Sequence, residues 1–305
     1  MRIICAVDGS EYSTWGVETL KAIAGREPEH VTLIHVIDTT SFKTAETKTV
    51  SADKRAVKAM EKAGQLILRN AERSAKVALG QASTGPRTAL HRVLTYGPIA
   101  TTIVQQARRG KADLILIGSR GLSDIKGFLL GSISRRVASM APCSVLVVKE
   151  PLSALRRITL AVDDSKPSRI AAQFLRSELL PDSATVTILS SAESPVSDLG
   201  ARYLSAAQLS DLMQPVIERA TRLVNSFRAD FVKDGMAVTT KVQMDHVIDT
   251  IIKHVESDHT DLLVAGARRL SKSERIYLGS VSETLLRHAP CSVLIARRTH
   301  GASLR

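Results

Sequence analysis

The chain has 305 residues, 44% apolar and 24% charged, with a mean hydropathy of +0.03, which excludes a disordered, collagen-like or disulfide-scaffold polypeptide. A total of 42 Lys and Arg against 30 Asp and Glu gives +12, unevenly placed: 22 against 13 in residues 1–150 (+9) and 20 against 17 in 151–305 (+3). The excess favours anionic partners in general, while 3% aromatics argues against a platform that stacks single-stranded bases.

Runs rich in Val, Ile and Leu at 2–7, 31–36, 90–94, 114–117 and 144–148 predict five strands. They are nearly continuously apolar, the mark of parallel strands covered on both faces. Helical periods lie between them: Val17, Leu20 and Ala24; then Val57, Met60, Gly64, Ile67, Ala71 and Ala75, stopping at Gly80; then Ile99, Ile103 and Ala107 after Gly97-Pro98; then Ile133, Val137 and Met140. The polar segment 37–54 reads as a loop over the strand ends. Residues 149–156 are the only linker, and strands recur near 158–162, 185–189, 238–244, 262–265 and 292–296. A helix there is marked by Val247, Ile248, Ile251, Ile252 and Val255, and the tail His300–Arg305 is expected to fray.

Cys5, Cys143 and Cys291 each sit inside an apolar run and none forms a CxxC pair, so buried free thiols are expected. No run reaches the roughly 18 apolar residues of a membrane helix. The apolar stretch after Met1-Arg2 is too short for a signal peptide. A cytoplasmic location without membrane association is expected.

The second set of strands follows from a repeat. Ala141-Pro-Cys-Ser-Val-Leu146 returns as Ala289-Pro-Cys-Ser-Val-Leu294, and Asp113–Val148 shares 16 of 36 residues with Asp261–Ala296 at an interval of 148. Leu160-Ala-Val-Asp163 echoes Cys5-Ala-Val-Asp8 at an interval of 155. One unit of about 150 residues is duplicated, too long for a solenoid repeat, with domains at 1–150 and 151–305. Alternating strands and helices predict an α/β architecture: two tandem doubly wound, open, parallel five-stranded sheets, with ligands at the carboxyl ends of the strands.

The strand 114–117 runs into Gly118-Ser-Arg-Gly121, and nine residues later Gly131-Ser132-Ile133-Ser134 opens a helix. Glycines at 118 and 121 permit positive φ and close backbone approach. The helix N-terminus offers amides, Ser132 and Ser134 offer hydroxyls, and Arg120, Arg135 and Arg136 offer positive charge. A polyphosphate suits this set, and so does a turn that serves only the fold. No Gly-Lys-Ser/Thr is present, and the loop follows a late strand, so it is neither a Walker loop nor a dinucleotide turn.

The pattern Gly118-x2-Gly121-x9-Gly131-Ser132, after Asp113-Leu-Ile-Leu-Ile and before Ala-Pro-Cys-Ser-Val-Leu-Val-Val148, resembles the universal stress protein family. So does Ala6-Val7-Asp8-Gly9-Ser10-Glu11-Tyr12-Ser13. The resemblance covers both halves and implies a tandem member with a Rossmann-like, adenine nucleotide alpha hydrolase-like fold; the glycine spacing implies the branch that binds ATP, with or without Mg2+. It implies that Asp8 meets the ribose or lies beside the adenine, and that the backbone of Val36 meets the base edge. Gly118, Arg120 and Gly121 would wrap the phosphates from one side, Gly131, Ser132 and Ser134 from the other.

The second copy keeps Asp163, Gly266, Gly279, Ser280 and Ser282 but has Arg269 for the second glycine and Ser191 for the valine. A side chain at Arg269 penalises positive φ and fills space, though its guanidinium could itself pair with a phosphate. A weak or empty second nucleotide site is expected.

The reading is of an ATP-binding stress-response module that is not an enzyme, with nucleotide ordering loops 37–54 and 118–131 to change the surface shown to an unidentified protein partner. A slow ATPase or phosphotransferase is the alternative, weakened by the lack of a base placed to activate water. A nucleic-acid-associated protein is a third, supported only by charge, with the Arg pairs at 108–109, 135–136, 156–157 and 297–298 scattered. No metal site is expected. Asp245-His246 and His254 read as solvated helix groups. Ser144–Val148 and Ser292–Ala296 are apolar edges that would aggregate if bare; pairing them makes an internal pseudo-dimer, and a homodimer is left open.

Overall fold

The computed structural model describes residues 1–23, 28–38, 50–80, 88–122, 130–181, 183–267 and 278–298. The expected strands form at β1 (Arg2–Ala6), β2 (His30–Ile37), β3 (Ala89–Tyr96), β4 (Leu114–Gly118) and β5 (Ser144–Val148). The second half gives β6 (Arg157–Ala161), β7 (Thr185–Ser191), β8 (Ala237–Gln243), β9 (Leu262–Gly266) and β10 (Ser292–Ala296). Helices α1 (Glu11–Glu18), α2 (Leu20–Ile23), α3 (Val50–Ala78), α4 (Ile99–Arg109) and α5 (Ser132–Met140) alternate with the first set. The second set alternates with α6 (Lys166–Phe174), continued by a π turn at Leu175–Leu179, and with α7 (Asp198–Ala201), α8 (Ala206–Lys233), α9 (Val247–Ser257) and α10 (Ser280–His288).

All pairings within a half are parallel, in the order β3-β2-β1-β4-β5 and its counterpart β8-β7-β6-β9-β10. β4, β5 and β10 are buried at every residue because helices cover both faces. One face is packed by α1, α3, α6 and α8 through residues such as Val17, Leu68, Ala171 and Phe231. The other is packed by α4, α5, α9 and α10 through Ile103, Val137, Ile251 and Leu285. All three cysteines are buried and free.

The two halves join edge to edge. β5 and β10 pair antiparallel with Leu146 opposite Leu294, so ten strands form one sheet rather than two. The facing leucines are 148 residues apart, the interval of the repeat, which puts a local two-fold axis through the seam. Contacts across it are reciprocal. Arg297 N donates to Ser144 Oγ (3.1 Å) and Lys149 N to Ser292 Oγ (3.1 Å). Lys149 Nζ donates to the Ala289 carbonyl at the end of α10, and Arg297 Nη2 to the Ala138 carbonyl in α5, both at 2.5 Å. Cations at helix C-termini are favourable there. Burial nevertheless pulls the Lys149 ammonium down to about 8. Arg135 meets Glu283 at 3.3 Å, one repeat position facing itself with opposite charge.

The short linker packs down, with Leu152 and Leu155 buried against the core. Two sequence expectations change. Segment 37–54 is not all loop: Ile37 closes β2 and α3 begins at Val50, while 39–49 lie outside the described residues. His254 is not solvated: its side chain is buried, with Nδ1 3.3 Å from Lys241 Nζ. Burial and that ammonium hold its imidazolium below the usual histidine range. Ala24 and the tail 300–305 lie outside the described residues. α3 ends as read, two residues before Gly80, which takes φ +65° beyond the helix C-terminus.

Candidate functional site

At the carboxyl ends of β1, β2 and β4 a cleft opens with an empty volume of ≈ 630 Å³, part of it continuous with solvent. One wall is apolar: Ile34, Val36, Ile99, Ile103, Ile117 and Ile133 converge from two strands and two helices. The polar part of the lining is formed by Asp8, Ser13, Arg120 and Ser134 together with Gly118 and Gly121. Asp8, Val36, Gly118, Arg120, Gly121 and Ser134, scattered over 126 positions of sequence, are thus brought to one cleft. Gly131 and Ser132 stand beside it at the start of α5, and Gly131 N donates to the Ser119 carbonyl (2.7 Å), pinching the two ends of the glycine loop together. Residues 123–129 between them lie outside the described set.

The parts have distinct roles. Asp8 Oδ1 accepts from Ser10 N (2.9 Å) and Ser10 Oγ (2.6 Å), and its Oδ2 accepts from Leu122 N (3.2 Å). Its carboxylate therefore ties the end of β1 both to the cap of α1 and to the glycine loop. Ser10 in turn caps α1 by accepting from Ser13 N (3.2 Å). The second half repeats the device: Asp163 accepts from Ser165 and, at 2.5 Å, from Ser168 Oγ. The spacing Asp-x-Ser-x-x-Ser, present in both copies, was the signal for it.

Gly118 is needed for space rather than for its dihedral angle. A Cβ there would lie 2.7 Å from the Tyr12 carbonyl carbon, and one on Gly266 would lie 2.4 Å from that of Pro167. Positive φ falls on Gly9, Gly80, Gly97 and Gly235 and not on Gly118 or Gly121. Argued from positive φ, the objection to Arg269 therefore has no support at its counterpart Gly121; Arg269 itself lies outside the described residues. Ser134 also differs from expectation. Its buried Oγ donates to the Gly118 carbonyl (2.6 Å), as Ser282 Oγ does to Gly266 (3.0 Å), so each single hydroxyl proton pins a helix to a strand end.

Arg120 reaches back across the loop. Its Nη1 donates to Tyr12 Oη (3.1 Å), its guanidinium lies 5.5 Å from the centre of the Tyr12 ring, and Tyr12 packs edge-on against Trp15 at 4.8 Å. Arg120 Nε is buried without a hydrogen-bond partner among the described residues. α5 starts at Gly131 with no side-chain cap, leaving amides beside the same space. Tyr12 and Ile99 enter the sequence analysis only as part of a motif and of a helical period, because nothing local marks them as residues of the site. Asp113 and Asp261, part of the repeated motif, hold strand starts: Asp113 Oδ2 accepts from Arg2 N, and Asp261 Oδ2 from Arg156 N and Arg157 N, each at 2.8 Å.

At the corresponding rim of the second half two hydrogen bonds link the end of β7 to the start of α9. Ser191, in the place of Val36, donates to the Asp245 carbonyl, and Glu193 Oε1 accepts from Val247 N (2.9 Å) at the start of α9. Val247 is the counterpart of Ile99, which lines the first cleft. Among the described residues no group of three or more His, Cys, Asp or Glu converges as metal ligands, and no helix is long and apolar enough to cross a membrane.

A model of the universal stress protein family matches residues 1–149 and again 154–297. Among curated proteins, universal stress protein YxiE of Bacillus subtilis is 29% identical over 156 residues, covering 48% of this chain and 98% of that one. A crystal structure of a universal stress protein from Archaeoglobus fulgidus superposes with a TM-score of 0.69 over 97% of this chain and 98% of that one, at 18% identity. A functionally unknown protein of Pseudomonas aeruginosa, PA1789, gives 0.59 over 97% and 92%, at 15% identity. At these identities the structural likeness concerns the fold alone, which is the Rossmann-like, adenine nucleotide alpha hydrolase-like one.

Proposed function

The chain belongs to the universal stress protein family over both of its halves, and from that premise we propose that its first half binds ATP and works as a nucleotide-dependent regulatory module without dedicated catalysis. The observation that carries this reading is the meeting, in one cleft, of an apolar wall with an unpartnered Arg120 Nε and an uncapped helix N-terminus. The isoleucines and Val36 suit a base. Arg120 and the amides of the α5 start suit a phosphate chain, since helix N-termini favour anions and guanidinium pairs well with phosphate. Any Mg2+ would arrive with the phosphate oxygens, and Asp8, whose Oδ1 accepts two hydrogen bonds and Oδ2 one, is the carboxylate of the described lining that could face it.

Those same bonds speak against hydrolysis. Asp8 is the carboxylate of the described lining, and the three hydrogen bonds it accepts from Ser10 and Leu122 favour its ionised form and a positioning role over that of a poised base. Regulation then follows from differential affinity: nucleotide favours whichever arrangement of the glycine loop presents amides to it, by the ratio of its affinities for the two. The second half is assigned a weak or empty site, supported by Ser191 and Glu193 already bonding across its rim.

Titration calorimetry tests the reading. One ATP per chain is expected for wild type and none for Gly121→Arg, with nucleotide released on denaturing the first protein and absent from the second. No heat with wild type ends the proposal; two equally tight sites end the assignment of the second half.

A further inference from the structure

α3 carries seven cations between Lys54 and Lys76: Lys54, Arg55, Lys58, Lys62, Arg69, Arg73 and Lys76. At about 100° per residue all seven fall within an arc of about 100°, in a row about 33 Å long. Every one is exposed, because the opposite side of the helix, with Gly64, Leu68 and Ala75, is buried. The acids of this stretch, Glu61 and Glu72, sit at the edge of the row and turn to β3, where Glu61 bonds Tyr96 and Glu72 meets Arg92 at 3.2 Å. Among the described residues only Lys76 of the seven has an ion-pair partner, Glu72 at 2.9 Å. At the far end Arg73 and Ser74 border a groove of mixed charge, with Lys21 and Glu18 on its other side. The counterpart helix α8 has no such row: four cations, Arg219, Arg222, Arg228 and Lys233, are offset by Asp211, Glu218 and Asp230.

We propose that the outer face of α3 docks on the sugar-phosphate backbone of double-stranded nucleic acid without regard to base sequence. A duplex carries about one charge per 1.7 Å with both strands counted, so about 19 phosphates are spread around a length matching this row and only those on the near side can meet it, a density that still rewards several cations on one rigid line. The row holds no aromatic side chain to stack unpaired bases. An anionic membrane is the lesser match: a helix that inserts needs one continuous free apolar side, whereas the Leu68 and Ala75 side of α3 is packed against the sheet and its exposed Met60, Leu66 and Val77 stand far apart along the helix. With seven cations against Asp53, Glu61 and Glu72, α3 carries +4 of the first half's +9.

The test is fluorescence anisotropy on labelled short duplexes of two unrelated sequences, with and without ATP. Wild type should bind both duplexes alike, and four phosphate contacts predict a log–log salt slope of about −3.6, or about 150-fold weaker binding from about 50 to about 200 mM salt. Lys58→Glu/Lys62→Glu/Arg69→Glu is compared with Arg202→Glu/Arg219→Glu/Arg228→Glu; both fall from +12 to +6 at exposed positions, and circular dichroism confirms their fold. The α3 variant should bind at least about tenfold more weakly while the other stays within about threefold. Equal weakening, a flat salt response, no duplex binding, or capture by phosphatidylserine vesicles but not by duplex each overturns the proposal. ATP titration of the same α3 variant should be unchanged, which separates this surface from the nucleotide cleft.

Discussion

Adding one methyl group at Gly118 examines how β4, α1 and the cleft depend on one another. The Cβ of Gly118→Ala would lie 2.7 Å from the Tyr12 carbonyl carbon and 2.8 Å from its Cβ and carbonyl oxygen. Ordinary contact begins near 3.4 Å, so α1 must retreat by about 0.7 Å, and the obstacle is helix backbone rather than a rotatable side-chain end. Overpacking of this kind costs about 1–3 kcal/mol. The same retreat carries Tyr12 away from Arg120, so ATP affinity should fall with stability. Gly16→Ala, one turn along α1 and facing the same strand end, is the control: its Cβ meets only Gly118 N at 3.8 Å, so helix propensity should make it up to about 1 kcal/mol more stable. Urea midpoints followed by circular dichroism give the comparison. A Gly118→Ala protein as stable as wild type, or a Gly16→Ala protein equally damaged, would show that α1 does not bear on β4 as described.

Ser134→Ala should lose about 1–2 kcal/mol by orphaning the buried Gly118 carbonyl; loss of ATP binding with unchanged stability would instead assign the hydroxyl to phosphate. Because the Lys149 ammonium is depressed to about 8, the unfolded chain alone keeps that proton between about pH 8 and pH 10.5. Relative to Lys149→Met, wild type should therefore gain stability as pH rises through that window, and a pH-independent difference in urea midpoint would contradict it. Burial pushes Cys143 and Cys291 up to about 12 and Cys5 higher still, so no thiol should react with Ellman's reagent at pH 8 until denaturant is added, when all three should.

The sheet was legible because its signal is local: strands buried on both faces are apolar at nearly every residue, and the repeat fixed where the second set begins. The seam was legible from the same property, since Ser144–Val148 and Ser292–Ala296 have no polar face to show to water. The cleft was only half legible. Glycine spacing located the loop, but whether Gly118 serves a dihedral angle or a close approach depends on Tyr12, 106 residues earlier in sequence. His254 was legible too, since Thr250, Ile251 and Val255 share its face of α9, but its polar ring was weighed above that period; in space it meets Lys241. The row on α3 was present in the sequence all along, hidden because only the apolar period of that helix was followed.

Since β10 runs against β5, every strand of the second half points opposite to those of the first, and the two rims open at opposite ends of one slab. A molecule seated at one rim is screened from the other by the full depth of the protein. The two rims of one chain are unlike as well as opposed, with Val36 at one and Ser191 at the other.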